Sequence, residues 1–310
     1  MEIGAQFYTV RQTCQNLTDF AETLKKVADI GYRNVQVSGT CPYPAEWLKE
    51  NLEKNGLKCV LTHIPVPRLT DELDQVIRDH EVFGCDHIGL GWWAFDPEKD
   101  MSFDQWMALF PPIAKKIAST GKLFMYHNHD QEFKKYEGKL IIERLAEALP
   151  PEEMGFTVDT FWVQAGGGDP AQWLEKLAGR IPCIHLKDYA YGRKMAVVGE
   201  GNINFARVFE KAEGAAQSIC WWSRTTATGK TPSNACGAPT IICAVLVSTN
   251  IIGGKEHGSI CTLRHHRHRQ PGQRLRPASR FGKLVPRNQT GGYRRQEPCP
   301  GGMGEKDPAC

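Results

Sequence analysis

No apolar run in the sequence approaches the ~20 residues of a membrane-spanning helix, so an integral membrane protein is not expected. The opening residues, MEIGAQFYTV, lack the basic segment of a secretion signal and pass directly into a strand pattern. There is no Cys-x-x-Cys. The 11 cysteines lie at 14, 41, 59, 85 and 183, with six more beyond residue 215. That scatter is not a disulfide scaffold, and reduced thiols in a cytoplasmic setting are expected. No Gly-x-Gly-x-x-Gly follows the first strand pattern, which removes the fingerprint of a dinucleotide-binding open sheet. Acidic residues are scarce at one end: residues 216–310 hold 14 Lys and Arg against 4 Asp and Glu, whereas the first 215 hold 24 against 31.

What is present is a chain of 310 residues, 41% hydrophobic, long enough for one large domain or two small ones. Residues 1–215 alternate strand and helix patterns with short connections. Strands are expected over 3–10, 34–37, 58–64, 87–91, 123–126, 155–158 and 182–186. Helices are expected over 16–30, 43–55, 70–83, 103–119, 140–149, 170–178 and 204–214. Asn16 or Thr18 can cap the first helix and Gly31 ends it, while Pro111-Pro112 should kink or split the fourth. Seven such units of about 30 residues argue for a parallel sheet. Polar groups end strands one, three, five, six and seven, and a site fed by so many strands needs a closed ring. The expected fold is therefore α/β, a (β/α)8 barrel.

The chain is organised around Lys122–Phe133, KLFMYHNHDQEF. Its apolar start reads as a buried strand, and period two puts His127 and His129 on one face with Tyr126 and Asn128 on the other. Two further strand ends look alike: GFTVDTFW ends on Asp159, and PCIHLKDY carries His185, Lys187 and Asp188. Three strands converging on His, Asp and His suggest one metal-centred site. Each residue also has a plainer reading: Asp159 as a helix cap, His185 as a hydrogen-bonded core histidine, Lys187 as a partner of Asp188.

YHNHDQEF, VDTFWVQAGG, IHLKDY and VGEGNINF closely resemble the sugar phosphate isomerase/epimerase family of xylose-isomerase-like TIM barrels, over roughly residues 1–214. The resemblance implies an enzyme of carbohydrate metabolism with a small sugar as substrate and one divalent metal (Mn, Zn, Co or Mg). It implies metal ligands at Asp159, at His185 and, in place of the family's strand-five carboxylate, at His127, with Glu132 as the alternative. Glu132, Lys187 and His63 are the implied catalytic groups, and Asn128, His129 and Trp162 the implied substrate contacts. The implied chemistry is isomerisation or epimerisation of a keto sugar or sugar phosphate through an enediolate. The alternatives are a lyase, dehydratase or hydrolase acting on keto-inositols or 3-keto glycosides and, in another class, nucleic-acid binding through the basic tail. Oligomeric state is left open.

The family's strand-eight Glu has no match. From Ala216 the periodic pattern fails; only 241–247 reads as a strand, and the Arg-, Pro- and Gly-rich text beyond Cys261 should be disordered. Residues 1–215 are thus expected to form an incomplete barrel, its eighth strand–helix unit replaced by non-native sequence. One set of codons for Cys220–Cys236, read from its third base, encodes Leu-Val-Glu-Gln-Asp-Asp-Cys-Tyr-Gly-Glu-Asp-Pro-Phe-Glu-Cys, the ending the family would have. Trp221-Trp222 forces the Val whatever the other codons are. A frameshift near residue 215 is expected, together with impaired activity.

Overall fold

The computed structural model describes residues 2–95 and 103–214, with the backbone of 219–223 and 243–246. All of these lie in one compact unit, Met1–Gly253. Seven parallel strands follow one another round the sheet in chain order: β1 (Ile3–Gln6), β2 (Asn34–Val37), β3 (Lys58–His63), β4 (His87–Leu90), β5 (Leu123–His127), β6 (Met154–Asp159) and β7 (Cys183–Leu186). The register carries Gly4 onto Asn34, Thr62 onto Ile88, Met125 onto Gly155 and Asp159 onto His185.

An eighth strand, β8 (Ile219–Ser223), lies parallel between β7 and β1, with Ile219 opposite Cys183 and Cys220 opposite Ile3. The backbone of Ile219–Ser223 therefore closes the ring, where the sequence offered no strand between Ala216 and 241–247. Ile-Cys-Trp-Trp-Ser has the β-branched and aromatic content that suits a strand, and pairing it covers two edges that would otherwise be open. Periodicity missed it because the partner helix of a βα unit does not follow among the described residues. Instead β9 (Cys243–Leu246), within the strand expected over 241–247, returns antiparallel to β8. The expected disordered tail lies outside the described residues.

The seven expected helices form with trimmed ends, and two short ones, Val66–Asp71 and Thr160–Ala165, were not expected. In α1 (Leu17–Ile30) the Asn16 side chain accepts the Asp19 N–H, and Gly31 closes the helix at φ 113°, a backbone conformation that glycine adopts without strain. Then come α2 (Ala45–Lys54), α3 (Val66–Asp71), α4 (Leu73–Val82) and α5 (Phe103–Ala118), the last unbroken through Pro111 and Pro112 rather than split. They are followed by α6 (Ile141–Ala148), α7 (Thr160–Ala165), α8 (Pro170–Lys176) and α9 (Phe205–Gly214). Two apolar layers hold them to the outside of the sheet, one around Phe20, Leu24 and Leu48, the other around Trp106, Phe124 and Phe156. Period two turns Leu61, Met125 and Cys183 to the same face as His63, His127 and His185, so a small cluster packs the ring beneath them.

Candidate active site

At the C-terminal end of the ring, β5, β6 and β7 deliver His127, Asp159 and His185, whose ligand atoms all lie within 4.8 Å of one another. All three are buried. His127 Nε2 is 3.2 Å from Asp159 Oδ2, His185 Nδ1 is 3.4 Å from the same oxygen, and the two nitrogens are 3.0 Å apart. Ligands about 2.1 Å from a shared cation, at tetrahedral to octahedral angles, stand about 3.0–3.4 Å apart, so the donor set fits a first-row divalent ion.

The outer nitrogens support the same fit. His127 Nδ1 lies 2.9 Å from the Gly91 carbonyl oxygen and His185 Nε2 lies 3.0 Å from Gln36 Oε1, both acceptors. With a proton on each outer nitrogen, the inner nitrogens turn lone pairs toward Asp159, the arrangement in which metal-ligating histidines are held. Asp159 divides its oxygens: Oδ1 accepts the Trp162 N–H and caps α7, while Oδ2 faces the imidazoles. The expected cap and the expected ligand are two edges of one carboxylate.

Electrostatics keep the cluster poised. Burial pushes the carboxyl of Asp159 up, but the Lys187 ammonium, 2.7 Å away, with the neighbouring His127 and His185 rings, overcomes it and holds it well below the usual range. Burial lowers His127 and His185 to about 4 and His129 to about 3, and takes His63 well below its ordinary value. The imidazoles are neutral at pH 7, the form that binds metals.

Above the cluster is a cavity of about 630 Å³ whose walls include His63, His127, His129, Trp162 and Lys187. His63 stacks on His127 at 5.2 Å, and its Nε2 has no partner among the described residues; the same holds for His129 Nδ1. Trp162 lies 5.1 Å from the His129 ring.

Two expected site residues are elsewhere. Glu132 does not line the cavity: Oε1 accepts from the Tyr126 hydroxyl at 2.6 Å, and Oε2 accepts the His129 N–H at 2.7 Å. Burial raises it to about 7, and in this structure its oxygens are bonded within the loop after β5, away from the other expected site residues. Asn128, also absent from the wall, accepts the Asp159 N–H at 2.9 Å and ties β5 to β6. Its place follows from the pleat that turned it away from His127.

Other contributors escaped sequence reasoning. Gln36, central in β2, orients His185; Gln6, ending β1, brings Nε2 within 3.3 Å of the same ring. Thr160 donates to the Lys187 carbonyl at 2.6 Å and accepts the Lys187 N–H at 2.9 Å, fixing the turn beyond β7. The available signal was a glutamine inside each of two short apolar strands.

The family model for the xylose isomerase-like TIM barrel matches residues 24–232. A sugar phosphate isomerase/epimerase from Parabacteroides distasonis superposes with a TM-score of 0.60 at 21% identity, over 74% of this chain and 88% of that one. A D-allulose 3-epimerase from Methylomonas sp. gives 0.55 at 14% identity, over 69% and 81%. A probable 3-DHS dehydratase from Bacillus anthracis gives 0.52 at 14%, over 69% and 89%. At these identities the likeness is one of fold. No curated protein matches.

Proposed function

Because the chain belongs to the xylose isomerase-like TIM-barrel family, we propose that it is a divalent-metal-dependent enzyme of the isomerase/epimerase type acting on a keto sugar. The observation that carries this reading is the triangle of donors on His127, Asp159 and His185, spaced as ligands of one ion. Two nitrogens and an oxygen favour Mn or Zn. Such an ion supplies polarisation of the sugar's carbonyl and neighbouring hydroxyl.

The chain's own residues would do the rest. His63 Nε2 and His129 Nδ1, both without a partner among the described residues, hydrogen-bond to sugar hydroxyls. Trp162 offers a face to the ring. Lys187, held at the cavity wall by Asp159, stabilises negative charge developing on a substrate oxygen.

A proton exchange between two carbons needs an acid and a base. No carboxylate other than Asp159, which is engaged, reaches this cluster among the described residues, and Ile-Cys-Trp-Trp-Ser of β8 contains none. The displaced reading frame would put a Glu at that strand, and the C-terminal charge split fits the same cause, so activity of the chain as written is impaired. A second reading is dehydration or lyase chemistry, favoured by a wall rich in imidazole and poor in carboxylate: one imidazole would take the proton and another would protonate the departing hydroxyl, with no proton returned to carbon by a second carboxylate.

A reducing cytoplasmic setting is consistent with the thiols of Cys14, Cys41, Cys59 and Cys85, which form no disulfide among the described residues. Among the described residues no helix is long and apolar enough to cross a membrane. The test is calorimetric titration of Mn(II) or Zn(II) into the chelator-stripped chain and into Asp159→Asn. Binding to the first and not to the second is expected; equal binding refutes the assignment.

A further inference from the structure

The loop after β7 is rich in glycine, and in TIM barrels the loops after the last two strands frequently cradle a substrate phosphate with backbone N–H groups. Here those donors converge on the protein's own carboxylate. Asp188 Oδ2 accepts the N–H groups of Gly199 and Gly201, both at 2.9 Å, and Oδ1 accepts those of Tyr189 at 2.7 Å and Ile203 at 3.0 Å. Asp188 is fully buried. A Cβ on Gly201 would sit 2.4 Å from Asp188 Oδ1, so the glycine admits the carboxylate and leaves no room for a second anion.

Other anion-binding devices are also engaged. The start of α7, which opens beside the cavity, has its Trp162 N–H on Asp159. Lys187 is the one cationic side chain on the described cavity wall, and Asp159 holds it at 2.7 Å. Nearby, Arg11 stacks on Tyr8 at 4.4 Å and Arg193 pairs with Asp130.

The rim offers apolar and aromatic surface instead. Trp92 and Tyr8 line the cavity yet stay 55% and 53% exposed, facing a wall built from Ile64, Val66 and Met195. Exposed aromatics at a cavity mouth mark a binding surface. The 630 Å³ volume falls in the range of about 300–1,000 Å³ that takes drug-sized ligands, more than one sugar ring fills.

We infer that the substrate is an uncharged, unphosphorylated saccharide of more than one ring, one ring over the His127–Asp159–His185 cluster and the next over Trp92 and Tyr8. The inference rests on the proposal that this site handles sugars, and it narrows that proposal by excluding sugar phosphates.

The test is calorimetry on the full chain loaded with Mn(II), using fructose, fructose 6-phosphate and cellobiose as probes. Cellobiose should bind most tightly, and fructose 6-phosphate no more tightly than fructose. Trp92→Ala should weaken cellobiose about tenfold, the share one aromatic platform supplies, and leave fructose within about twofold. Tighter binding of the phosphate ester, cellobiose no better than fructose, an unaffected Trp92→Ala variant, or no saccharide binding at all overturns the inference. Mn(II) uptake, read first in the same cell, separates the outcomes: a chain that takes the ion but ranks the probes otherwise refutes this inference alone, whereas one that takes no ion refutes the metal-site reading beneath it.

Discussion

Glu132 shows how the same carboxylate reads differently in the sequence and in the structure. In the sequence it is a carboxylate beside two histidines; in the structure both its oxygens are acceptors in a buried loop. Replacing it by Gln puts an amide donor against either the Tyr126 hydroxyl or the His129 N–H. Glu132→Gln should therefore lose about 1–3 kcal/mol of stability while keeping metal affinity. Denaturation and metal titration of the variant check this; an unchanged stability with lost activity would return Glu132 to the chemistry.

The buried imidazoles give the fold an acid-sensitive side. His80 is lowered to about 4 by burial, between the Thr62 hydroxyl and the Val76 carbonyl. His63, His87, His127, His129 and His185 are lowered as well. A histidine whose folded pKa is depressed contributes stability that is complete above its unfolded value, near 6.5, and lost as pH falls toward the folded value. Each such group adds a slope of up to about 1.4 kcal/mol per pH unit in that window. Glu132, raised to about 7, acts in the opposite sense, one group against six. Urea denaturation of the metal-free chain should show stability falling from about pH 6.5 to about 4; a flat profile contradicts the burial of these rings.

At the scale of elements, the strand ends were legible because β-strand alternation is simple. One apolar strand running into His127 and His129, with Tyr126 and Asn128 on the other face, fixed which side chains meet. Gln6 and Gln36 were not legible, since a buried glutamine in a strand has no pattern that separates support from function. β8 was missed for a different reason: Ile219–Ser223 is strand-like by composition, but only long-range pairing with β1 and β7 distinguishes it from an isolated apolar run. The loop after β7 depends on one carboxylate for four N–H groups. Asp188→Asn, with one acceptor oxygen in place of two, should free residues 189–203, raise proteolytic cleavage there severalfold and cost about 1–3 kcal/mol. Protease resistance equal to the parent chain would show that the loop is held by other contacts.

In the whole molecule, three candidate metal donors sit on a closed ring whose eighth strand, Ile-Cys-Trp-Trp-Ser, contains no carboxylate. Fold and donors were visible in four motifs, because barrels put polar residues at strand ends. The state of the C-terminal sequence was visible as lost periodicity and reversed charge, which the described strands modify without explaining. Metal content, measured after dialysis into Mn(II) or Zn(II), reads the central claim most directly across the chain, its Asp159→Asn and His185→Ala variants, and a version with the displaced frame restored. The account predicts one ion per chain in the parent, none in either variant, and tighter retention in the restored version. Equal metal in parent and Asp159→Asn, or none in the parent and the restored version alike, would contradict it.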